Sequence, residues 1–144
     1  MTRQRNKIRL FQVDLARELD VSEMTITRAM KSIGRDGQRV TEMDAITVIT
    51  MAELQDLKIA PHVTVEIINT FSRELLYVAS NPRRTCWIVF AETVHASFQL
   101  ASLNARHLAS TLDALPMALT VPLHQVVARA KERLEELKIR KAAA

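Results

Sequence analysis

The stretch VDLARELDVSEMTITRAMKSI, residues 13–33, contains two short amphipathic helical patterns that meet at one corner. The apolar residues of the two patterns recur at spacings of three and four, and they are Val13, Leu15, Ala16, Leu19, Ile26, Ala29, Met30 and Ile33. Ser22 stands at the junction, where its hydroxyl is suited to accept a backbone N–H and begin the second helix. The stretch therefore predicts two helices joined by a tight turn.

A helix-turn-helix imposes steric requirements that this stretch meets. The two helices meet closely, so the first needs a small residue, which is Ala16. The corner needs a residue that tolerates a left-handed backbone, and Asp20 is an accepted, weaker substitute for glycine. Val21 is expected to be buried after the corner, and Ile26 to lock the second helix onto the first. The other interpretation is an ordinary helical hairpin within a core.

The outward face of the second helix suits double-stranded DNA, because the major groove admits one helix and exposes the edges of the bases. Arg28 and the threonines are expected to address base edges, and Met24 a thymine methyl. Glu23 either accepts from a cytosine amine or only supports the helix N-terminus, where Ser22 favours a phosphate. The predicted DNA-binding residues of this helix are Ser22, Glu23, Met24, Thr25, Thr27, Arg28 and Lys31.

The segment RDGQRV, residues 35–40, contains the strongest hairpin signal in the chain, Asp36–Gly37. Its flanks are too short for two ordinary strands, so the pattern predicts a small wing. Arg39 is expected to bind phosphate there, with Arg35 assisting. A third helix then follows Thr41, with a core stripe predicted at Ile46, Ile49, Leu54 and Leu57.

The segments DLARELDVSEMTITRAMKSIG and DGQRVTEMDAITVITMAELQDLKIAPHVTVEIINTF together resemble the winged helix-turn-helix of MerR-type transcription regulators. The resemblance covers about residues 8–72. It implies a divergent bacterial or phage regulator whose wing places Arg39 on the phosphate backbone. The family usually has Arg-Tyr-Tyr in the recognition helix, where this chain has Thr27, Arg28 and Ala29. The family's metal sensors use several cysteines, whereas Cys86 stands alone in an apolar run.

The second half of the chain changes pattern after the turn SNPRRT, residues 80–85. A fourth helix is predicted from Val63 to Val78 before that turn. Beyond it, the predicted elements are strands at 86–92, 95–102 and 118–123 and helices at 104–115 and 124–140. The expected fold is thus α+β. A mainly α winged helix-turn-helix domain, residues 1–80, precedes a small α+β dimerisation or partner-binding module, residues 81–144, with two or three short strands and a C-terminal helix.

The C-terminal helix carries apolar residues with the spacing of a two-heptad seam, and classical members of the resembled family dimerise through such a helix. The seam residues are Val127, Ala130, Leu134 and Leu137. The other interpretation is an ordinary amphipathic helix that covers a sheet. Two DNA-binding domains related by a two-fold axis add their binding energies and set the spacing of the two DNA half-sites. A homodimer is therefore expected.

Charge and composition exclude several classes of protein. The chain has 144 residues and a formal net charge of +4, and its single cysteine excludes an intramolecular disulfide. Residues 1–40 carry a net +4, which includes a basic arm at Arg3, Arg5, Lys7 and Arg9, and residues 41–80 carry a net −4. No apolar run is long enough to span a membrane, and a reducing cytoplasm is expected.

Nothing in the sequence indicates an enzyme. Gly34 and Gly37 are the only glycines, so a glycine-rich phosphate loop is excluded. His95, His107 and His124 are scattered without the spacing of a metal or acid–base site. No cofactor and no metal are expected.

Three functions remain open. The first is a dimeric regulator that binds double-stranded DNA and either blocks a promoter or contacts RNA polymerase. The second is an excisionase-like or partition-type architectural factor that bends DNA with the same surfaces. The third is a protein-binding antagonist of another transcription factor, with the acidic segment 41–80 as its contact.

Overall fold

The computed structural model of the chain describes residues 8–92, 94–115 and 117–144. The basic-arm residues Arg3, Arg5 and Lys7 lie outside these ranges. The helices are α1 (Gln12–Leu19), α2 (Glu23–Ser32), α3 (Glu42–Asp56), α4 (Pro61–Thr70), α5 (Ser72–Ala79), α6 (Ala105–Ala114) and α7 (Leu123–Ala143). The strands are β1 (Trp87–Glu92), β2 (Ser97–Ser102) and β3 (Ala118–Pro122). The predicted α+β class with a C-terminal helix is confirmed.

The corner between α1 and α2 has the predicted backbone. Asp20 adopts a left-handed conformation with φ 52° and ψ 51°, and the N–H of Val21 donates to the carbonyl of Ala16 at 2.9 Å. Ala16 and Ile26 are buried at the helix crossing. The expectation for Val21 is wrong, because its side chain is 38% exposed. The chain turns outward after Asp20, so Ile26 and Met30 fill the space beneath the corner instead.

The helix α3 lies at the centre of the molecule and is buried around most of its circumference. Ile46, Ile49 and Leu54 are buried as predicted, whereas Leu57 is 50% exposed and was wrongly assigned to the core. Leu57 is the C-terminal cap of α3, where the chain leaves the helix toward Lys58. Its side chain therefore falls outside the stripe that the helical spacing predicted.

Two elements of the first half differ from the predictions. Asp36 and Gly37 form a turn, with Gly37 at φ 69°, but no paired strands flank it, so the wing is a loop and not a β-hairpin. The single helix predicted from Val63 to Val78 is divided at Phe71 into α4 and α5. Pro61 occupies the first turn of α4, where its missing N–H costs nothing.

The three strands form one antiparallel sheet in the order β2–β1–β3. The register places Phe90 opposite Gln99 on one side and opposite Leu119 on the other. Both edge strands are antiparallel to β1, so they run parallel to each other, and α6 connects them across the sheet. Ile88 and Val121 join the apolar core of the helical half, which therefore continues past residue 80.

The C-terminal helix α7 packs on α3 and α5 within the same chain. The predicted dimer seam consists of Val127, Ala130, Leu134 and Leu137, and all four side chains are buried in one chain. The seam prediction is wrong, because side chains that already fill the core of one copy are not available to another. The amphipathic alternative was right that α7 covers other elements, but it covers mainly helices.

Basic side chains of α7 pair with acidic side chains of α1 and α3. The pairs are Arg133 with Glu18 and Glu53, Lys138 with Glu42, Arg140 with Glu18, and Lys141 with Asp14. Partial burial lowers the pKa of Arg133, but hydrogen bonds and charges from Glu53 and Glu18 outweigh that effect and raise it. Among the described residues, no helix has the length and apolarity needed to cross a bilayer.

Replacing Arg133 with Met should lower the free energy of unfolding by about 2 kcal/mol, because Glu18 and Glu53 lose the cation that they share. Those side chains are only 8% and 14% exposed, so water compensates little. Urea unfolding at pH 7 measures the change. The matched control is Arg129→Met on the same helix, which removes an exposed arginine and should cost less than about 0.5 kcal/mol. Equal losses in the two variants would contradict the role of Arg133.

Candidate nucleic-acid interface

The helix α2 divides into a buried face and an exposed face, as the sequence predicted. Ile26 and Met30 are buried against α1 and α3. The remaining predicted contact residues of α2 are exposed to solvent, and they are Glu23, Met24, Thr25, Thr27, Arg28 and Lys31. The face opposite the core is therefore mainly polar, with Met24 as its large apolar side chain, and it is accessible along the length of the helix.

The start of α2 is held by its own hydroxyl groups. Ser22 is the N-cap, and its Oγ accepts the backbone N–H of Thr25 at 3.2 Å. The Thr25 Oγ1 lies 3.0 Å from the same Ser22 oxygen. Both hydroxyls therefore fix the first turn of the helix, and an approaching phosphate would share them with the cap.

Thr27 connects the two helices in addition to being exposed. Its Oγ1 lies 2.8 Å from Gln12 Oε1 and 3.1 Å from the Glu23 carbonyl, with the hydroxyl as donor in both contacts. Gln12 is the first residue of α1, and the sequence reasoning missed it as part of this surface. The sequence signal for this role was that Gln12 is a polar residue at the start of α1, the helix that packs beside α2. The Gln12 amide brings the N-terminus of α1 to the same surface.

The two wing arginines have different environments. The Arg35 guanidinium forms a forked ion pair with Asp44, with Nε and Nη2 within 3.1–3.3 Å of the carboxylate. The same group donates to the Arg39 carbonyl at 3.3 Å. Asp44 also accepts the N–H of Thr41 in a capping box at the start of α3. Arg35 therefore anchors the loop, and its predicted phosphate contact would have to share this guanidinium.

Three exposed cations of this region have no ion-pair partner in the described ranges, namely Arg28, Lys31 and Arg39. Arg28 and Lys31 lie on the outward face of α2, and Arg39 lies in the loop that follows it. At the other end of α2, the Asn69 amide of α4 donates to the Ser32 carbonyl at 3.0 Å. The sequence reasoning also missed this contact, which fixes the C-terminus of α2 against α4.

The second half contains no cluster of metal-ligating side chains in the described part of the chain. No group of three or more His, Cys, Asp or Glu side chains there is arranged to hold a metal ion. Cys86 is fully buried, and burial, with a smaller contribution from the charge of Glu74, raises its pKa to about 11. His124 Nδ1 hydrogen-bonds the backbone of Cys86, and the imidazole ring packs edge-on against the Trp87 ring. Cys86 therefore belongs to the core, and the partly exposed His124 and Trp87 pack beside it.

No family model matches this chain, and no curated protein matches its sequence. The resemblance to MerR-type regulators therefore remains a prediction from the residues of α1, α2 and the following loop.

Replacing Arg35 with Ala should lower the free energy of unfolding by about 1–3 kcal/mol, because Asp44 is buried and loses its forked partner. Arg39→Ala is the matched control in the same loop. It removes an exposed, unpaired arginine and should change stability by less than about 0.5 kcal/mol. Thermal and urea unfolding of both variants test the difference. A larger loss of unfolding free energy for Arg39→Ala than for Arg35→Ala would show that Arg39, and not Arg35, anchors the loop.

The Cys86 thiol should make stability depend on pH between 9 and 11. Its pKa is 9.0 as an ordinary thiol and about 11 in the fold, so in this window the unfolded chain binds fewer protons than the folded one. Stability is therefore fully present below pH 9 and is lost as the pH rises through 11, by about 2–3 kcal/mol. Cys86→Ala lacks this ionisation and is the control. Urea unfolding at pH 8, 9.5 and 11 measures both proteins, and parallel curves would contradict the prediction.

Proposed function

We propose that this chain is a sequence-specific DNA-binding transcriptional regulator and a divergent relative of the MerR-type winged helix-turn-helix proteins. In this proposal α2 lies in the major groove of double-stranded DNA, and the loop of residues 35–40 lies on the phosphate backbone. The proposal is supported chiefly by the unpaired cations Arg28, Lys31 and Arg39 on one exposed helix face and the loop beside it.

The chemistry of the exposed face agrees with base reading. Arginine can donate two parallel hydrogen bonds to guanine O6 and N7, so Arg28 is the candidate for direct readout. Met24 is 59% exposed and offers an apolar contact to a thymine methyl. Lys31 and Arg39 supply charge for phosphates. The Asp20 corner, the Ser22 cap and the Arg35–Asp44 anchor keep these groups in fixed relative positions, which reduces the entropy lost on binding.

A homodimer remains part of the proposal, since one short helix contacts few base pairs and a second copy doubles the contact. The dimer contact is not assigned to α7, whose apolar face is buried. Regulation through contact with RNA polymerase, a cytoplasmic location and the lack of enzymatic activity belong to the same proposal. The DNA-bending alternative would use the same surfaces. The antagonist alternative has less support, because Glu42 and Glu53 of the acidic segment already pair with α7.

Selection of bound duplexes from a random pool tests the proposal directly. The expected result is one discrete motif, and a palindromic motif also reports a dimer. Titration of the selected duplex at two salt concentrations should show affinity falling steeply with salt. No retention of any duplex at about 100 mM salt would refute DNA binding. Strong bending of the selected duplex in a circularisation assay would favour the architectural alternative.

Arg28→Ala should reduce discrimination between the selected duplex and a random duplex by about 1–3 kcal/mol, because the base contact is lost. The matched control is Arg106→Ala, which removes an exposed arginine from α6 in the other half and should leave discrimination unchanged. Fluorescence anisotropy with both duplexes measures the ratio. A loss for Arg28→Ala that is equal on both duplexes would demote Arg28 to a phosphate contact.

A further inference from the structure

Thr27 of α2 is exposed and is also hydrogen-bonded to Gln12, the first residue of α1. The Thr27 Oγ1 lies 2.8 Å from Gln12 Oε1 and 3.1 Å from the Glu23 carbonyl, so both acceptors share its single hydrogen. A hydrogen held in this way is not available to the acceptor atoms of guanine or thymine in the major groove. The hydroxyl of Thr27 therefore serves the protein, although the sequence predicted that it addresses a base edge.

The Gln12 amide keeps donors that the protein does not use. Its nitrogen carries two N–H groups, and neither has an acceptor among the residues that the structure describes. A half-turn of the amide would still leave one N–H free, because Thr27 can accept only one of the two. The side chain of Gln12 is only partly buried, so this N–H is accessible beside the outward face of α2.

The position of this donor favours a phosphate over a base. In a helix-turn-helix complex the second helix enters the major groove, while the first crosses the backbone of the duplex. Gln12 stands at the start of the first helix, and the nonbridging oxygens of a phosphate accept hydrogen bonds without donating any. A side chain with a free N–H and an occupied oxygen matches that requirement.

The charges at the start of α1 also favour an anion. Arg9 is exposed, and its guanidinium carbon lies 4.9 Å from the centre of the Phe11 ring. Lys141 of α7 lies 4.5 Å from the centre of the same ring and pairs with the Asp14 carboxylate at 2.6 Å. The acidic charge in the first turn of α1 is therefore offset. Arg9 pairs with no carboxylate of the described residues, so its positive charge attracts a phosphate to this end of the helix.

We propose that Gln12 contacts a phosphate of the DNA backbone and that Thr27 is its positioning residue. The inference rests on the proposed function, because the phosphate belongs to the duplex whose major groove receives α2. The Thr27 hydroxyl fixes the Gln12 oxygen and thereby holds the amide N–H toward the duplex. The backbone is then contacted at two places, by Gln12 at the start of α1 and by Arg39 in the loop of residues 35–40.

Gln12→Glu separates a phosphate contact from a contribution to stability. The carboxylate still accepts the Thr27 hydroxyl and is favoured in the first turn of a helix, so urea unfolding should show no loss of stability. It has no N–H and carries a negative charge, so affinity should fall at least about tenfold. Because every duplex has phosphates, the loss should be equal on the selected and on a random duplex. Fluorescence anisotropy measures both.

The matched control is Gln125→Glu, which adds the same charge elsewhere. Gln125 is an exposed glutamine in the first turn of α7, at the end of that helix that adjoins β3. The ion pairs of α7 with α1 begin eight residues later, at Arg133. Gln125→Glu should therefore change the affinity by less than about twofold. Equal weakening by the two substitutions would reduce the effect of Gln12→Glu to the net charge of the chain.

Thr27→Val keeps the shape of the side chain and removes the hydroxyl. It should weaken binding to the selected and to the random duplex alike, by about threefold, because Gln12 is no longer held in place. Thr27→Ser restores the hydroxyl and should restore the affinity. A loss for Thr27→Val that is confined to the selected duplex would assign Thr27 to base reading and overturn its positioning role.

Replacing single phosphates of the selected duplex with uncharged methylphosphonates locates the contact. At one position the replacement should weaken binding of the unaltered chain at least about threefold and have little further effect on Gln12→Ala. A residue that only supports the fold would leave the two profiles parallel at every position. Parallel profiles would therefore overturn the phosphate contact.

The outcomes separate this inference from the proposed function. Discrete binding to the selected duplex with unaltered affinity in Gln12→Glu would overturn the role of Gln12 and leave DNA binding in place. No retention of any duplex by the unaltered chain would instead refute DNA binding, and the phosphate contact with it. Circular dichroism first establishes that each variant is folded. Should Gln12→Glu fail to fold, Thr27→Val and the methylphosphonate profiles decide the outcome.

Discussion

The burial of α3 is the constraint on which the rest of the structure depends. This helix is apolar on nearly every side, so no single partner can cover it. The helices α1 and α2 cover one side, α4 another, and α7 returns from the end of the chain to cover a third. The apolar stripe of α7, including Val127 and Leu134, is therefore committed to one chain. A sequence pattern suited to dimerisation is used for completing a core.

The charged side chains of the protein fall into two groups: those that form ion pairs between helices and those that are exposed and free to contact a partner. Segments 41–80 and 129–144 have opposite net charges, and Glu42 and Glu53 of the first pair with Lys138 and Arg133 of the second. Arg133 shows the internal use, since it joins two acidic side chains from different helices. Arg28 shows the second use, since it is exposed and has no acidic partner among the residues that the structure describes. The basic segment of residues 1–40 thus keeps Arg28, Lys31 and Arg39 on and beside the exposed face of α2.

Local signals in the sequence were sufficient for most of the elements and for the exposed face of α2. Asp20 and Ser22 act through their immediate backbone, so their roles could be predicted, and so could the strands, whose alternation is equally local. Errors arose where the outcome depends on distant residues. Nothing near Leu134 in the sequence indicates that α3 needs covering, and the contact of Arg35 with Asp44 depends on how the loop folds back. The Asp36–Gly37 turn was predicted correctly, but no paired strands flank it.

The helix α4 belongs to both halves of the molecule, and this limits how independently they can move. Asn69 holds the C-terminus of α2 through the Ser32 carbonyl, while Glu66 and Thr70 line a cavity of about 840 Å³ between α4 and the sheet. These three residues lie within five positions of one helix, which behaves as a rigid element at that length. Because packed interiors deform little, a shift of α4 at the cavity must be accommodated at its contact with α2. The position of α2 is therefore coupled to that of α4, which packs on α3 and contacts the end of α2 through Asn69.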